Sequence, residues 1–163
     1  MGVAARLLTW RDLEAWPEET GRRVELARGE LVVSPVPGND HAWIAEELGF
    51  LLGGFVRRRA LGRLFSSPVN VVLAPDCVYQ PDLCFVAGAR AGIIGRTKID
   101  GAPDLCIEIV SESNRTHDTV VKFADYARYG VAEYWIVDPR EREISAWRNA
   151  GGRYESLSRA RPG

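Results

Sequence analysis

Lysine is almost absent from this sequence. Only Lys98 and Lys122 are lysines among the 21 basic residues, so arginine supplies the general positive charge. Each lysine is therefore a candidate for a specific role. The formal net charge of −1 argues against a protein that coats nucleic acid by bulk electrostatics, so any nucleic-acid binding must be local.

Long apolar runs and metal-binding cysteine patterns are also absent. No run approaches the roughly 20 residues that span a bilayer, and the N-terminus meets acidic residues too early for a signal peptide. We therefore expect a cytoplasmic protein with no membrane contact. Three cysteines make an odd set without zinc spacing, and we expect reduced core thiols at Cys77, Cys84 and Cys106.

The length of 163 residues, with 46% apolar and 26% charged residues, predicts one domain over residues 1–163. Apolar periodicity predicts an α/β fold, with a mixed central β-sheet flanked by helices after an N-terminal helix and β-hairpin. The loop over residues 88–102 contains four glycines and is long enough to be mobile or functional. The predicted helices span 9–16, 39–59 and 116–129; the predicted strands include 22–27, 30–34, three runs within 63–86, 105–110, 133–138, 143–147 and 153–157.

Glu108 stands out because it interrupts the most apolar strand, Leu105 to Val110. A carboxylate in a strand covered on both faces is destabilising by several kcal/mol unless a cation, a metal or a proton compensates it. Asp82 begins another strand, after Pro81, and its carboxylate would converge with that of Glu108 if the two strands were neighbours. Two such carboxylates form a site for Mg²⁺ or Mn²⁺.

Lys122 lies on the helix that follows the Glu108 strand. The spacing of four puts Asp118 and Tyr126 on its side of that helix, and we expect an apolar side formed by Val120, Phe123, Ala124 and Ala127. An ammonium group there would orient attacking water and stabilise charge on a phosphate. Each residue also has a structural alternative: Asp82 as a turn cap, Glu108 paired with an arginine, Lys122 extended to solvent.

Four further acidic or imidazole side chains are secondary candidates. Asp104 shares a strand face with Glu108, but roughly 13 Å of strand separates them, so we expect it to order the strand entry. His41 and Glu46, near the start of the long helix, are candidates for a base or an outer metal ligand. Glu25, in the first hairpin, has an equal claim to be an exposed strand residue.

The order of several motifs resembles the Uma-type endonuclease family, also called domain of unknown function 820. The resemblance extends from about Leu7 to Tyr154. The motifs are RVELARGELVVSPVPGNDH, SSPVNVVL, QPDLCFV, GAPDLCIEIVSESN and the spaced residues from Asp118 to Pro139.

The resemblance implies a restriction-endonuclease-like fold with a PD-(D/E)xK site around a divalent metal. Asp82 would be the first acid and Glu108 the second. Val110 stands where the motif lysine is expected, so the resemblance implies that Lys122, on the following helix, replaces it. It also implies DNA as the substrate and a homodimer or higher homo-oligomer.

Three functional hypotheses follow. The first is Mg²⁺- or Mn²⁺-dependent hydrolysis of phosphodiesters in DNA, with Asp82 and Glu108 as metal ligands. The second is a degenerate nuclease fold that binds nucleic acid or a protein without cutting, which the near-neutral charge favours. The third is a metal-free hydrolase with two carboxylates, for which the aromatic residues give no sugar-binding pattern.

Overall fold

The computed structural model describes residues 6–17 and 21–162, and it has the predicted α/β fold with an N-terminal helix and hairpin. The helices are α1 (Trp10–Glu14), α2 (Asn39–Arg58) and α3 (Phe123–Tyr129). The strands are β1 (Arg22–Ala27), β2 (Glu30–Pro35), β3 (Gly62–Ser66), β4 (Asn70–Ala74), β5 (Cys77–Tyr79), β6 (Leu83–Ala87), β7 (Lys98–Asp100), β8 (Leu105–Ile109), β9 (Glu133–Asp138), β10 (Glu143–Asn149) and β11 (Tyr154–Ala160).

The strands form two mixed sheets instead of the one expected. The five-stranded sheet has the order β2-β1-β5-β4-β7, and the six-stranded sheet has the order β11-β10-β9-β8-β6-β3.

The turn of the first hairpin is confirmed at Arg28 and Gly29. Both residues have a positive φ, 54° and 81°, as a tight two-residue turn between twisted strands requires. Arg28 is held in this uncommon conformation by two hydrogen bonds from its guanidinium to Asp125 Oδ1, at 3.0 and 2.7 Å. The hairpin is thereby tied to α3.

The central position of β8 is also confirmed. It pairs antiparallel with β6 and parallel with β9. Its odd-numbered side chains, among them Ile107 and Ile109, pack on Ile44, Leu48 and Leu52 of α2. Its even-numbered side chains, including Glu108, therefore point away from α2, into the space between the two sheets.

That space holds the largest core cluster. Val71 and Tyr79 come from the five-stranded sheet, Cys84 and Cys106 from the six-stranded sheet, and Tyr126 from α3. Helix α1 covers the outer side of the five-stranded sheet near Leu26 and Val78. All three cysteines are buried and unpaired, as expected.

Three local features differ from the sequence-based expectation. The N-cap of α2 is Gly38, not Asn39 or Asp40, and no side chain caps it. Residues 88–102 are not a plain loop, because they contain a 3₁₀ helix (Gly88–Ile93) and β7. The third predicted helix begins with a π-helical segment (His117–Lys122).

None of the helices in the described residues is long and apolar enough to span a membrane. The sequence argument against a signal peptide rests partly on residues 1–5, which lie outside the described residues.

Gly62 provides a test of the β3–β6 pairing. Its φ is +154°, and a Cβ there would lie 2.1 Å from the carbonyl oxygen of Val86. We predict that Gly62→Ala lowers the free energy of unfolding by about 3 kcal/mol, because neither backbone segment can yield cheaply. Gly92→Ala is the control, since beyond its chain neighbours and local helix backbone no atom lies within 4 Å of its Cβ position. Chemical denaturation of both variants measures the difference, and equal stabilities would contradict this register.

Candidate active site

A cluster of buried ionisable side chains lies in the core between the two sheets. Most of the surrounding core is apolar or aromatic, so these groups depend on one another for compensation. Residues of β1 and β8, the residue before β6 and the helical segment after β8 form the cluster. Its members are Arg23, Glu25, Asp82, Glu108, Asp118 and Lys122.

Asp82 immediately precedes β6 and faces Glu108 on the neighbouring strand. The β6–β8 register pairs Leu83 with Ile107, and the next step places Asp82 opposite Glu108. Asp82 Oδ2 accepts hydrogen bonds from the backbone N–H of Ile109 at 2.8 Å and from His41 Nε2 at 2.9 Å. The convergence expected of the two acids is therefore present, and it follows from direct strand pairing.

Arg23 lies beside both acids. Its Nη2 donates to Asp82 Oδ1 at 2.7 Å, and its Nη1 lies 4.0 Å from Glu108 Oε2. Arg23 comes from β1, where it shares a strand face with Glu25. The guanidinium thus provides positive charge between the two carboxylates.

The two oxygens of Glu108 have different surroundings. Oε1 accepts hydrogen bonds from Lys122 Nζ and from the Tyr126 hydroxyl, both at 2.9 Å. Oε2 is buried and accepts no hydrogen bond from any described residue. A buried acceptor without a partner is uncommon in native proteins and calls for an explanation.

Lys122 is the centre of the ion-pair network. Besides Glu108, its Nζ lies 3.0 Å from Glu25 Oε1 and 3.5 Å from Asp118 Oδ1. Glu25 also accepts a hydrogen bond from the backbone N–H of Gln80 at 2.7 Å. The alternative of an exposed hairpin residue is therefore wrong for Glu25, which is fully buried in the network.

The π-helical segment corrects the predicted face of this helix. Val120 and Ala124, expected on the apolar side, are exposed, whereas Asp118 and Lys122 are buried. A π turn holds an extra residue, which shifts the residues that face the core, and such turns often occur at functional sites. Tyr126 keeps its predicted place beside Lys122.

The two opposed carboxyls have opposite pKa shifts. Burial tends to raise the pKa of Asp82, but the hydrogen bond from His41 and the charge of Arg23 lower it to about 2. Burial raises the pKa of Glu108 well above its ordinary value, and the charge of Asp82 adds to this against the attraction of Lys122. The pKa of Lys122 is raised because its three carboxylate neighbours outweigh burial. Asp82 and Lys122 thus stay charged, whereas Glu108 favours a proton.

The cluster carries more negative than positive charge. Four carboxylates face two permanent cations, which leaves two uncompensated negative charges when the nearby imidazoles are neutral. Low-polarity surroundings make such an excess unfavourable. A proton on Glu108 removes one of these two charges, and a bound divalent cation removes both. The carboxylates are those of Glu25, Asp82, Glu108 and Asp118, and the cations are those of Arg23 and Lys122.

A cleft of about 410 Å³ opens onto one side of the cluster. Asp82 and Arg23 form part of its wall, and the first turns of α2 supply His41 and Glu46. Glu108 is not part of the wall, whereas Arg23, which is, has its Nη1 4.0 Å from Glu108 Oε2. His41 and Glu46 are therefore near the site, His41 in contact with Asp82 and Glu46 at the cleft margin.

Two other residues singled out by the sequence lie away from the cluster. Asp104 accepts a hydrogen bond from the backbone N–H of Ala87 at 2.8 Å and one from Arg90 at 3.0 Å, which is the predicted ordering role at the strand entry. Lys98 lines a separate cleft of about 670 Å³ between α1 and β7. It forms an ion pair there with Asp100, which lines the same cleft. Neither residue reaches Asp82 or Glu108.

Arg23 and His117 were missed by sequence reasoning. Arg23 and Glu25 alternate with Val24 and Leu26, a pattern typical of a strand with one face in solvent. The polar face is instead covered by the second sheet. His117 Nε2 is buried 3.3 Å from Glu25 Oε2, without a hydrogen bond of acceptable geometry. The scarcity of histidine was the one signal that could have drawn attention to it.

The carboxylate oxygens of Asp82 and Glu108 are ligands of the kind that a hard divalent cation prefers. Glu108 Oε2 has both acceptor positions free, and Asp82 Oδ1 uses only the bond from Arg23. No group of three or more His, Cys, Asp or Glu residues in the described part of the chain forms a ready-made metal site. A cation held by these two acids would therefore take most of its ligands from water, as Mg²⁺ commonly does.

Comparison with known proteins gives one family and a similar fold. Residues 10–163 match the Uma2 family, described as "Putative restriction endonuclease". A crystal structure of a "putative nuclease belonging to DUF820" from Anabaena variabilis ATCC 29413 superposes with a TM-score of 0.76 at 21% identity. The match covers 92% of this chain and 84% of that one. No curated protein matches the chain.

The raised pKa of Glu108 predicts a stability difference that grows with pH. The contribution of Glu108 to stability is complete below its ordinary pKa of 4.5 and is lost as pH rises toward its raised pKa in the folded protein. Glu108→Gln keeps the acceptor for Lys122 without the charge. In metal-free buffer we expect it to be more stable than wild type at pH 8 by at least about 1 kcal/mol, and by less at pH 5.

The matched variant Asp82→Asn should behave in the opposite way. The pKa of Asp82 is lowered from 3.8 to about 2, so its stabilising contribution is complete above pH 3.8 and is lost as pH falls toward 2. Asp82→Asn is therefore expected to be less stable than wild type at pH 8. Denaturant titrations across this range measure both differences, and a destabilised Glu108→Gln at every pH would contradict the predicted shift.

Proposed function

The chain belongs to the Uma2 family, and from this premise we propose that it is a metal-dependent nuclease that hydrolyses phosphodiester bonds in DNA. The family and the similar solved fold support a nuclease function and nucleic acid as the ligand. The metal requirement and DNA as substrate are our proposal.

The single observation that carries the proposal is the pair formed by Asp82 and Glu108. They face each other on adjacent strands, and one oxygen of Glu108 has no hydrogen-bond donor. A structural ion pair would be expected to satisfy that oxygen. Oxygen ligands with unused acceptor capacity, in a cluster with excess negative charge, are the conditions under which a divalent cation binds.

Asp82 Oδ1 and Glu108 Oε2 are the oxygens that would hold Mg²⁺ or Mn²⁺. When bound, the cation supplies Lewis-acid activation of the phosphate and of a water molecule. His41 and the backbone N–H of Ile109 orient Asp82 through its other oxygen. Lys122 and Tyr126 likewise orient Glu108 through Oε1. Each acid is thus fixed by one oxygen and available through the other.

Lys122 acts in this proposal as a positioning residue, not as a group that touches the substrate. Its side chain is 1% exposed, and its ammonium group already has carboxylate neighbours in Glu108, Glu25 and Asp118. The sequence-based hypothesis gave it the role of orienting the attacking water. Burial behind Glu108 favours the indirect role.

The Arg23 guanidinium must move before a cation in the cleft can reach Glu108. Its guanidinium is close to both acids, and its side chain forms part of the cleft wall. A guanidinium displaced toward the cleft would be close to a bound phosphate, for which arginine is well suited. Ser66 and Ser67 in the same wall add hydroxyl donors.

The position of Arg23 also favours a second candidate function. An internal guanidinium that permanently replaces the metal would give a non-catalytic protein that binds nucleic acid in the cleft without cutting it. Metal binding separates the two candidates. The metal-free hydrolase hypothesis requires both carboxylates to reach the substrate, which the burial of Glu108 disfavours.

Plasmid nicking tests the proposal directly. We predict Mg²⁺- or Mn²⁺-dependent nicking by the purified wild type, abolished by EDTA, and a loss of at least about 100-fold in Asp82→Ala and Glu108→Ala. Lys122→Met should also be inactive. Glu112→Ala is the control for copurifying nucleases, because this side chain is 90% exposed and outside the cluster. Nicking that is equal in all the proteins would contradict the proposal.

Replacement of Arg23 should have opposite effects on stability and on metal affinity. Arg23→Met removes a cation from beside two acids, so the metal-free protein should unfold more easily. The same change removes a charge that repels the cation, so we predict Mn²⁺ affinity several-fold higher by titration calorimetry. Arg63→Met, at an exposed position of β3, is the control. A lower Mn²⁺ affinity in Arg23→Met would show that Arg23 supports metal binding instead.

A further inference from the structure

The outward side of α2 is unusually apolar for a surface helix. The opposite side packs on the six-stranded sheet through Ile44, Leu48 and Leu52. On the outward side, where charged residues are expected, Trp43 is 64% and Phe50 73% exposed. We define the outer face of α2 as Trp43, Glu47, Phe50, Gly54 and Arg58, which follow one another at helical spacings of three and four.

The two charged residues of this outer face have no ion-pair partner among the described residues. The helix offers them none, because the neighbours three and four positions from Glu47 are apolar. Arg58 has Gly54 and Phe55 on its N-terminal side, and its guanidinium lies back over Gly54. One acid and one base are therefore held on an apolar surface without counter-charges.

From this pattern we propose that the outer face of α2 binds the same face of a second copy of the chain, with the two helices antiparallel about a two-fold axis. Glu47 and Arg58 lie at equal distances, about 8 Å along the helix, on either side of the point between Leu52 and Gly53. A two-fold axis through that point places Glu47 of each copy opposite Arg58 of the other. Such self-complementarity is what an isologous interface requires.

The apolar residues of the face match under the same symmetry. Phe50 of each copy lies opposite Gly54 of the other, and the Arg58 guanidinium that lies over Gly54 in the single chain turns from it toward Glu47 of the other copy. Trp43, near the N-terminal end, meets Leu61, which follows the helix and is 41% exposed. Aromatic residues in the centre of a contact surface, with charges beside them, are typical of stable protein interfaces.

Nucleic acid is a poor occupant of this surface. Protein–DNA interfaces are strongly positive, whereas the outer face has one acid, one base and an apolar centre. The catalytic cleft opens on a different side of α2, next to His41 and Ala45. The pairing therefore leaves the cleft open, and it stands or fails independently of the nuclease proposal.

Sedimentation analysis over a range of concentrations tests the interface. We expect a wild-type dimer, and a dissociation constant raised at least about tenfold by Phe50→Glu and by Trp43→Glu. Leu157→Glu is the matched control, because Leu157 is an exposed apolar residue on β11, far from α2 in sequence. Circular dichroism and thermal melts must show that each variant is folded.

Charge exchange tests the antiparallel arrangement itself. Glu47→Arg and Arg58→Glu should each weaken the dimer, and the double variant should restore it, because the opposed pairs are then reversed but complementary. A wild type that remains monomeric overturns the proposal. So does a dimer that survives Phe50→Glu but is lost in Leu157→Glu. A double variant weaker than both single variants overturns the antiparallel pairing.

Discussion

The buried ammonium group of Lys122 is the interaction on which the rest of the site depends. It joins Glu108 of β8 to Glu25 of β1, and so links the six-stranded sheet to the five-stranded sheet. Removal of Lys122 would leave its carboxylate partners uncompensated in the core, which is destabilising by about 3 to 5 kcal/mol. The same contacts fix the orientation of Glu108. Stability and site geometry therefore have a common origin.

The strand pairing then makes the two acids inequivalent. Asp82, at the cleft, is stabilised as an anion by His41 and Arg23. The anionic form of Glu108 is instead destabilised by burial and by neighbouring acids. Asp82 therefore stays anionic at the cleft, and the buried carboxyl of Glu108 requires a proton or a cation. That proton or cation would bind at Oε2 of Glu108, the oxygen that accepts no hydrogen bond from the described residues.

Much of this arrangement could be predicted from local sequence. Glu108 was identified because it interrupts an apolar strand, and its convergence with Asp82 follows once their strands are neighbours. The contribution of β1 could not be predicted, because Arg23 and Glu25 alternate with apolar residues as an exposed strand face would. Only the second sheet, which packs over that face, makes them buried. The helical face around Lys122 was partly wrong because a π turn has no simple sequence period.

The central claim is that Asp82 and Glu108 together hold a divalent cation, and a crystal of the protein soaked in Mn²⁺ tests it most directly. The account predicts an anomalous-scattering peak about 2.1 Å from Asp82 Oδ1 and Glu108 Oε2, with the Arg23 guanidinium moved from between the acids. The absence of a peak between the two carboxylates at saturating Mn²⁺, with Arg23 in its original position, would contradict this claim.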